Sequence, residues 1–452
     1  MFIELHIIQN FPPSCLNRDD TNAPKDCEFG GVRRARVSSQ SFKRAIRWHP
    51  IFAKTTGQPV SFRTRELASE VAKRLQKIQK RDGARVTEIA NALIETYAGG
   101  MDDKGKTEVL LLSGDNEINA MAQAIHANWD ALNGEVPHSD PQMDKLAKKL
   151  AGQLKGRDKD ERKQVVAAFL DAVGKSALAT EPDKTTLAKW VEEINQQWDT
   201  LKQQKAASAD VSILPDIASK LKQASKNAVA IDIALFGRML ADKSPDKINV
   251  DAACQVAHAV STHRVTMEMD YFTAVDDLKP EEETGAGHIN FTEFNSACFY
   301  RYACLDTKQL LKNVSNLDAP EELAKRAVEA FLRASFDAVP TGKKTWSAHD
   351  VRPSFVFAVV RNQGDRWSLA NAFEKAVPLN DSRGLVEPSI KQLDDYWGVL
   401  SRVYGEDGIV AKAALLLTMP MELPNLGGTL KDSREEWFKE INQAVVAHLK
   451  EN

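Results

Sequence analysis

The sequence predicts an α+β protein in which a split βαβ sheet of the ferredoxin-like, RRM-like kind is interrupted by a large helical region. Three observations support this class. An alternating strand at 2–8 is followed by a helix that begins near Gln40. A long series of helical patterns then occupies 60–225. Extended segments return at 285–305 and 354–360, so the two flanking parts of the chain are expected to share one sheet.

Residues 2–8 alternate between apolar and polar side chains. Ile3, Leu5 and Ile7 would lie on one face, and Glu4 and His6 on the other. This period of two predicts a strand with one buried face and one partly exposed face.

The stretch from residue 14 to 47 combines loop residues, a Gly30–Gly31 pair and a strongly basic segment. Residues 32–48 contain six cations and no acid. Ser38 or Ser39 is predicted to cap the helix that follows, with Lys43 and Arg47 on one of its faces. Backbone N–H groups, hydroxyls and guanidinium groups together suit a phosphate, although a solvated basic face explains the charge equally well.

A helical domain of its own is predicted at 59–225, inserted between the two parts of the sheet domain, 1–58 and 226–452. It includes a lysine-rich part with Lys145, Lys148 and Lys149. These lysines fit an ordinary solvated helical hairpin, or a contact with the backbone of DNA.

The chain beyond the helical region returns to extended and helical patterns. Residues 250–262 are predicted as a helix, and further helices are predicted at 320–339, 368–376, 390–404 and 433–449. Two extended segments joined by a Pro/Glu/Gly loop predict a projecting β-hairpin at about 264–296. Its aromatic side chains fit either a core or stacking on unpaired bases.

The totals exclude several classes of protein. The 452 residues carry a net charge of −3, so any nucleic-acid surface is a local patch. The five cysteines have no metal-binding spacing, and no metal or other cofactor is expected. Neither a signal peptide nor a membrane span is apparent, which predicts a cytoplasmic protein.

Several motifs resemble the CasC-type backbone subunit of type I-E CRISPR surveillance complexes (Cascade). The first is SCLNRDD followed by FGGVRRARVSSQSFKRAIR within the first fifty residues. Later matches follow in the family's order: DIALFGRM at 232–239, QVAHAVSTH at 255–263, MDYFTAVDDL at 269–278, GAGHINFTEF at 285–294, FYRYA at 299–303 and ANAFEKAV at 370–377. Residues 100–225 do not match in detail, so their contacts remain open.

The resemblance implies a hand-shaped, non-enzymatic scaffold with an RRM-like palm, helical fingers and a β-hairpin thumb. Several copies would polymerise along one CRISPR RNA, beside other Cascade subunits. Each thumb would displace one base at regular intervals, and the remaining guide bases would pair with target DNA.

The resemblance also implies roles for particular residues. The RNA backbone would be held by Lys25, Arg33, Arg34, Ser38, Ser39, Lys43, Arg44 and Arg47. The gap around the displaced base would be shaped by Met239, Tyr271, Phe272, His288 and Ile289. The family typically has Trp where Tyr271 stands, which is a conservative change for stacking.

Two other classes compete with this prediction. A metal-independent endoribonuclease of ferredoxin-like fold would need a general acid or base, for which His6, His49 and His288 are the candidates. No partner base or nucleophile stands beside them in the sequence. A purely structural interaction protein leaves the acid-free stretch at 32–48 unexplained.

Overall fold

The fold is taken from a computed structural model, which describes residues 1–78, 83–102, 104–135, 214–239, 248–274 and 288–451. Its strands are β1 (Phe2–Ser14), β2 (Asp26–Phe29), β3 (Val32–Val37), β4 (Phe62–Thr64), β5 (Leu111–Ser113), β6 (Cys254–Val256), β7 (Ala259–Ser261), β8 (Glu268–Ala274), β9 (His288–Asp306), β10 (Phe355–Arg361) and β11 (Ile409–Leu416).

The described α-helices divide between the sheet domain and the inserted region. They are α1 (Ser39–Trp48), α2 (Pro50–Thr56), α3 (Leu67–Ile78), α4 (Gly83–Ala98), α5 (Asp115–Ala127), α6 (Trp129–Glu135), α7 (Leu214–Lys226), α8 (Ile231–Phe236), α9 (Thr307–Val314), α10 (Pro320–Asp337), α11 (Lys344–Ser347), α12 (Val386–Tyr404) and α13 (Arg434–Glu451). The mixed α+β class is therefore confirmed. Described helices include none that is long and apolar enough to cross a membrane.

One antiparallel sheet organises the molecule. Its main path runs β11-β10-β1-β9-β7-β3-β2, and β6 and β8 also pair with β9. Strand β1 lies between β10 and β9, with Ile3 opposite Val360 on one side and Leu305 on the other. Helices α1 and α10 pack on one face of this sheet, where Ile46 and Phe331 join the core.

Strand β1 is buried on both faces, so the prediction that Glu4 and His6 lie on a partly exposed face is wrong. Both side chains are fully buried. The Glu4 carboxylate accepts a hydrogen bond from Arg361 Nε at 2.9 Å, and His6 Nδ1 lies 2.9 Å from the Tyr300 hydroxyl. Helix α12 covers this second face, with Trp397 in the same core as Tyr300. A polar residue that is paired inside the protein gives the same alternating pattern as an exposed one.

Residues 250–262 form strands β6 and β7 rather than the predicted helix. Cys254 pairs with Leu305, and Val260 pairs with both Tyr300 and Arg36. Strand β9 offers a ladder of backbone partners, and this tertiary pairing overrides the weak helical preference of the alanine-rich sequence. The predicted helix at 368–376 is reduced to a 3₁₀ turn, Ala370–Phe373.

The other predicted helices of the C-terminal part are confirmed as α10, α12 and α13. In the inserted region, α3, α4, α5 and α7 share a separate core that contains Leu75, Leu93, Ile118 and Leu221. The limits of the two predicted domains stay a prediction. Residues 136–213 of the predicted helical domain, including Lys145, Lys148 and Lys149, lie outside the described residues.

Candidate nucleic-acid interface

The capped helix α1 supports the basic stretch. The Ser38 side chain accepts a hydrogen bond from the backbone N–H of Ser41 at 3.4 Å, which identifies Ser38 as the N-cap. Ser38 is itself held, because its N–H donates to Asn17 Oδ1 at 2.9 Å. Phe42 and Ile46 are buried beneath the helix. The predicted cap is confirmed, and it connects the helix to the loop that precedes β2.

Four of the predicted cations lie at the surface. Arg33 and Arg44 are exposed, and Lys25 and Lys43 are half-buried. Arg33 forms an ion pair with Asp26. The Arg44 guanidinium lies 5.8 Å from the centre of the Trp48 ring. These side chains present positive charge to solvent.

Arg34 has a different role from the one predicted. Its side chain is fully buried and donates to the carbonyl oxygens of Phe29, Ser261, Phe373 and Glu374 at 2.8–3.2 Å. Burial lowers the pKa of this guanidinium. Because its donors are occupied by backbone, the expectation that Arg34 holds an RNA phosphate is wrong.

The turn between β2 and β3 explains why Arg34 reaches those carbonyls. Gly30 has a φ of +61°, and a Cβ added there would lie 1.8 Å from the carbonyl oxygen of Glu374. Glycine is required both for the left-handed backbone and for the close approach. Gly30 therefore brings the β2–β3 turn against residues 373–374.

Arg47 is also committed to the interior. Its Nε donates to Asp232 Oδ2 at 2.6 Å, and its NH2 group donates to the carbonyl oxygen of Ser61 at 2.7 Å and to the Ser61 hydroxyl at 2.8 Å. Asp232 and Ser61 are buried as well. The expectation that Arg47 holds RNA is therefore wrong. An acid within the apolar segment IDIALF was the signal in the sequence for its partner.

The loop after β1 shapes a surface cavity next to α1. Asp19 Oδ1 accepts hydrogen bonds from the N–H groups of Thr21 and Ala23 at 2.9 and 3.0 Å. A third bond, from the Thr21 hydroxyl, is the main cause that lowers the pKa of Asp19. The resulting cavity measures about 430 Å³. Its lining comes from three parts of the chain: residues 16–20 and 22, residues 41, 44 and 45 of α1, and Thr341 and Gly342.

The predicted hairpin is present, with Glu268 opposite Phe294 and Ala274 opposite His288. Strand β9 continues for 19 residues, so its first part pairs with β8 and its later part joins the main sheet. Tyr271 is 69% exposed and Phe291 is 58% exposed, with their ring centres 6.3 Å apart. The alternative in which Tyr271 belongs to a core is therefore wrong.

For the other residues predicted around the displaced base, the structure gives mainly their positions along the chain. Phe272 and Ile289 lie on β8 and β9, opposite Asn290 and Thr273, and His288 begins β9. The side chains of these three residues lie outside what the structure describes. Met239 is 92% exposed and directly follows the bridge between Arg238 and Val250, away from the hairpin in sequence.

Two of the histidines predicted as candidates, His6 and His49, are engaged in the fold. His6 is fully buried, and burial lowers its pKa. His49 caps α2 by accepting a hydrogen bond from the N–H of Ile51 at 3.4 Å. Among the residues that the structure describes, no three His, Cys, Asp or Glu side chains are grouped to hold a metal ion.

Sequence reasoning missed the contribution of residues 341–346 to this surface. Thr341 and Gly342 line the cavity, and Lys343 hydrogen-bonds to the Thr292 hydroxyl on the hairpin. The segment TGKKTW joins a glycine, two lysines and a tryptophan. That composition was the signal in the sequence from which a contribution to this surface could have been predicted.

Fold and surface together define an α+β protein that carries a polar cavity, exposed cations and a hairpin with exposed aromatic side chains. The family model described as CT1975-like protein (Cas_CT1975) matches residues 3–169 and 143–440. The chain therefore belongs to the CT1975-like family of Cas proteins.

Two solved structures extend this comparison. A chain from a "CRISPR RNA-guided surveillance complex, pre-nicking" is 28% identical, with a TM-score of 0.70. The match covers 98% of this chain and 100% of that one. A chain from a "CRISPR RNA-guided surveillance complex" is 24% identical, with a TM-score of 0.62 and the same coverage, and shows the shared fold. No curated protein matches.

Proposed function

We propose that this protein is a non-enzymatic backbone subunit of a type I-E Cascade surveillance complex, in which several copies polymerise along one CRISPR RNA. The RNA backbone binds at Lys25, Arg33, Ser38, Ser39, Lys43 and Arg44. The guide bases stay free to pair with target DNA, and other Cascade subunits complete the assembly. Its working compartment is the cytoplasm.

The observation that carries this proposal is the aromatic surface of the projecting hairpin. Tyr271 and Phe291 are more than half exposed on paired strands, and Met269 beside them is 55% exposed. Large apolar side chains in water are unfavourable unless a partner covers them. Because Lys343 joins Thr292 of this hairpin to the loop that lines the cavity, aromatic and basic groups adjoin each other.

The strand order supports the hand-shaped arrangement. Strands β10-β1-β9-β7 are neighbours in the sheet, and along the chain β1, α1, β7, β9, α10 and β10 follow one another with other elements between them, an order that supports the βαββαβ pattern of an RRM-like palm. In this proposal, residues 59–225 are the fingers and residues 264–296 are the thumb. Met239, Tyr271, Phe272, His288 and Ile289 border the displaced base.

The physical demands on a guide carrier agree with these surfaces. A guide must be held through its phosphates, because its base edges have to remain readable by the target strand. Exposed cations bind a phosphate backbone without regard to sequence. Exposed aromatic side chains wedge or stack against any base, whatever its identity.

Co-expression with and without a CRISPR RNA, followed by native mass measurement, tests the proposal. We expect a multi-copy assembly that contains intact RNA. The Lys43→Ala/Arg44→Ala variant should bind RNA more weakly. If two phosphate contacts are lost, the slope of log K against log salt should become shallower by about 1.4, at about 0.7 per phosphate.

The matched control removes two exposed cations from the other side of the sheet. Lys391→Ala/Arg402→Ala changes the charge equally on α12, which packs on the face opposite α1. RNA binding by this control should equal that of the unchanged chain. A lone monomer that carries no RNA would contradict the proposal.

Shortened RNA in the same measurement would favour the endoribonuclease instead. The described histidines give that alternative little support. His6 is buried in the sheet, and His49 is occupied as a helix cap. Replacing a candidate histidine should therefore leave the length of the bound RNA unchanged.

A further inference from the structure

Part of the cavity wall comes from a short loop that neither the basic stretch nor the hairpin includes. Thr341 and Gly342 of this loop face the cavity. A Cβ added at Gly342 would lie 2.4 Å from the carbonyl oxygen of Leu16 and 2.6 Å from that of Cys15. The loop backbone therefore packs directly on the segment that leaves β1.

The shape of this loop is strongly constrained. Lys343 and Ala348 have φ values of 46°, a left-handed conformation that is unfavourable for residues with a Cβ, and they bracket α11. His349 is fully buried, with Nε2 2.8 Å from the carbonyl oxygen of Pro340 and Nδ1 2.5 Å from the Ser347 hydroxyl. Lys344 forms an ion pair with Asp350 at 2.7 Å. These contacts hold the loop in one arrangement.

The loop presents a tryptophan beside a cation. Trp346 is 52% exposed, and the Lys343 ammonium lies 5.2 Å from its ring centre. Helix α1 carries a similar pair, because Trp48 is also 52% exposed and Arg44, which lines the cavity, lies over its ring. Each pair joins an aromatic face for a base to a positive charge for a phosphate.

The lining of the cavity favours a polar ligand. It includes Asn17, Asn22, Ser41 and Thr341, which offer amide and hydroxyl groups for hydrogen bonds, together with the charged side chains Arg18, Arg44, Asp19 and Asp20. An apolar side chain from a partner protein would find few apolar atoms to contact there. Ribose hydroxyls and base edges would find both donors and acceptors.

We propose that Trp346 stacks on an unpaired base of single-stranded RNA, with Lys343 beside it, so that the loop at 341–346, whose first two residues line the cavity, adds a base-stacking surface next to that cavity. This inference rests on the proposed function. It adds a base-stacking residue to the site, and its contribution is independent of base identity.

Binding of the full chain to a fluorescently labelled oligouridine tests this. We expect Trp346→Ala to weaken affinity by about 5- to 150-fold, which corresponds to one lost stacked base. Trp346→Phe keeps an aromatic face and should retain most of the affinity. The matched control is Tyr404→Ala, because Tyr404 is 71% exposed on the opposite face of the sheet, and its affinity should not change.

Three results would separate this inference from the proposed function. Tight binding by the unchanged chain and equal binding by Trp346→Ala would overturn the inference alone. A chain that binds no oligouridine would overturn both. If Trp346→Ala keeps its RNA affinity but lowers the number of copies per complex, the loop contacts protein, and its assignment to RNA is wrong.

Discussion

Arginines in one short stretch of this chain have two opposite roles. Arg33 and Arg44 are exposed at the surface, whereas Arg34 and Arg47 are buried. The buried pair hold the β2–β3 turn and α1 in place through backbone carbonyls and Asp232. The exposed pair lie at the surface, where Arg33 also forms an ion pair with Asp26. The number of cations in a stretch of sequence therefore overstates the size of its basic surface, because some of these side chains are buried and stabilise the fold.

Arg47→Ala should have the largest effect in this comparison. It removes one partner of a buried ion pair and leaves the Asp232 carboxylate uncompensated, so we expect the free energy of unfolding to fall by about 3–5 kcal/mol. Urea denaturation measures this. The effect on RNA binding should follow only from the loss of folded protein. Unchanged stability would show that Arg47 is not buried as described.

His6 provides a smaller, pH-dependent test of the buried polar groups. It lies among Glu4, Tyr300, Tyr302 and Arg361, and burial lowers its pKa below the ordinary value of 6.5. The unfolded chain then binds the proton more tightly, so stability is lost as the pH falls below about 6.5. The loss from this one group reaches at most about 1.4 kcal/mol per pH unit.

The variant His6→Gln isolates that contribution. The difference in unfolding free energy between the unchanged chain and His6→Gln should become smaller as the pH falls from 7 to 5. Denaturation curves at several pH values measure the difference. A difference that is independent of pH would contradict titration of His6.

Arg44→Ala should have the smallest effect on stability. The side chain is exposed, and its contact over Trp48 lies at 5.8 Å, so we expect a change within about 0.5 kcal/mol. The same substitution should weaken RNA binding and reduce the salt slope by about 0.7. Arg44→Lys keeps the charge and serves as the control. Large destabilisation by Arg44→Ala would remove the distinction between the two kinds of arginine.

Strand β9 likewise contains both exposed and buried side chains of one type, in this case aromatic residues. Phe291, near its outer end, is 58% exposed, while Phe299 and Tyr300 further along are buried. Both parts have the same high strand propensity, and the hairpin was predictable from it. The burial of each aromatic residue depends on the strands and helices that pack there. Beyond the pairing with β8, no described strand continues the sheet beside Phe291.

The sequence by itself determined the features that depend on short-range physics. The cap at Ser38, the C-terminal helices and the hairpin follow from local hydrogen bonding and periodicity. Its motifs also carried the resemblance to a CRISPR subunit. Only the tertiary structure decided that Arg34 and Arg47 are interior, that 250–262 is extended, and that Thr341 and Gly342 complete the cavity. Those outcomes depend on partners far along the chain, and a local pattern carries no information about what will cover it.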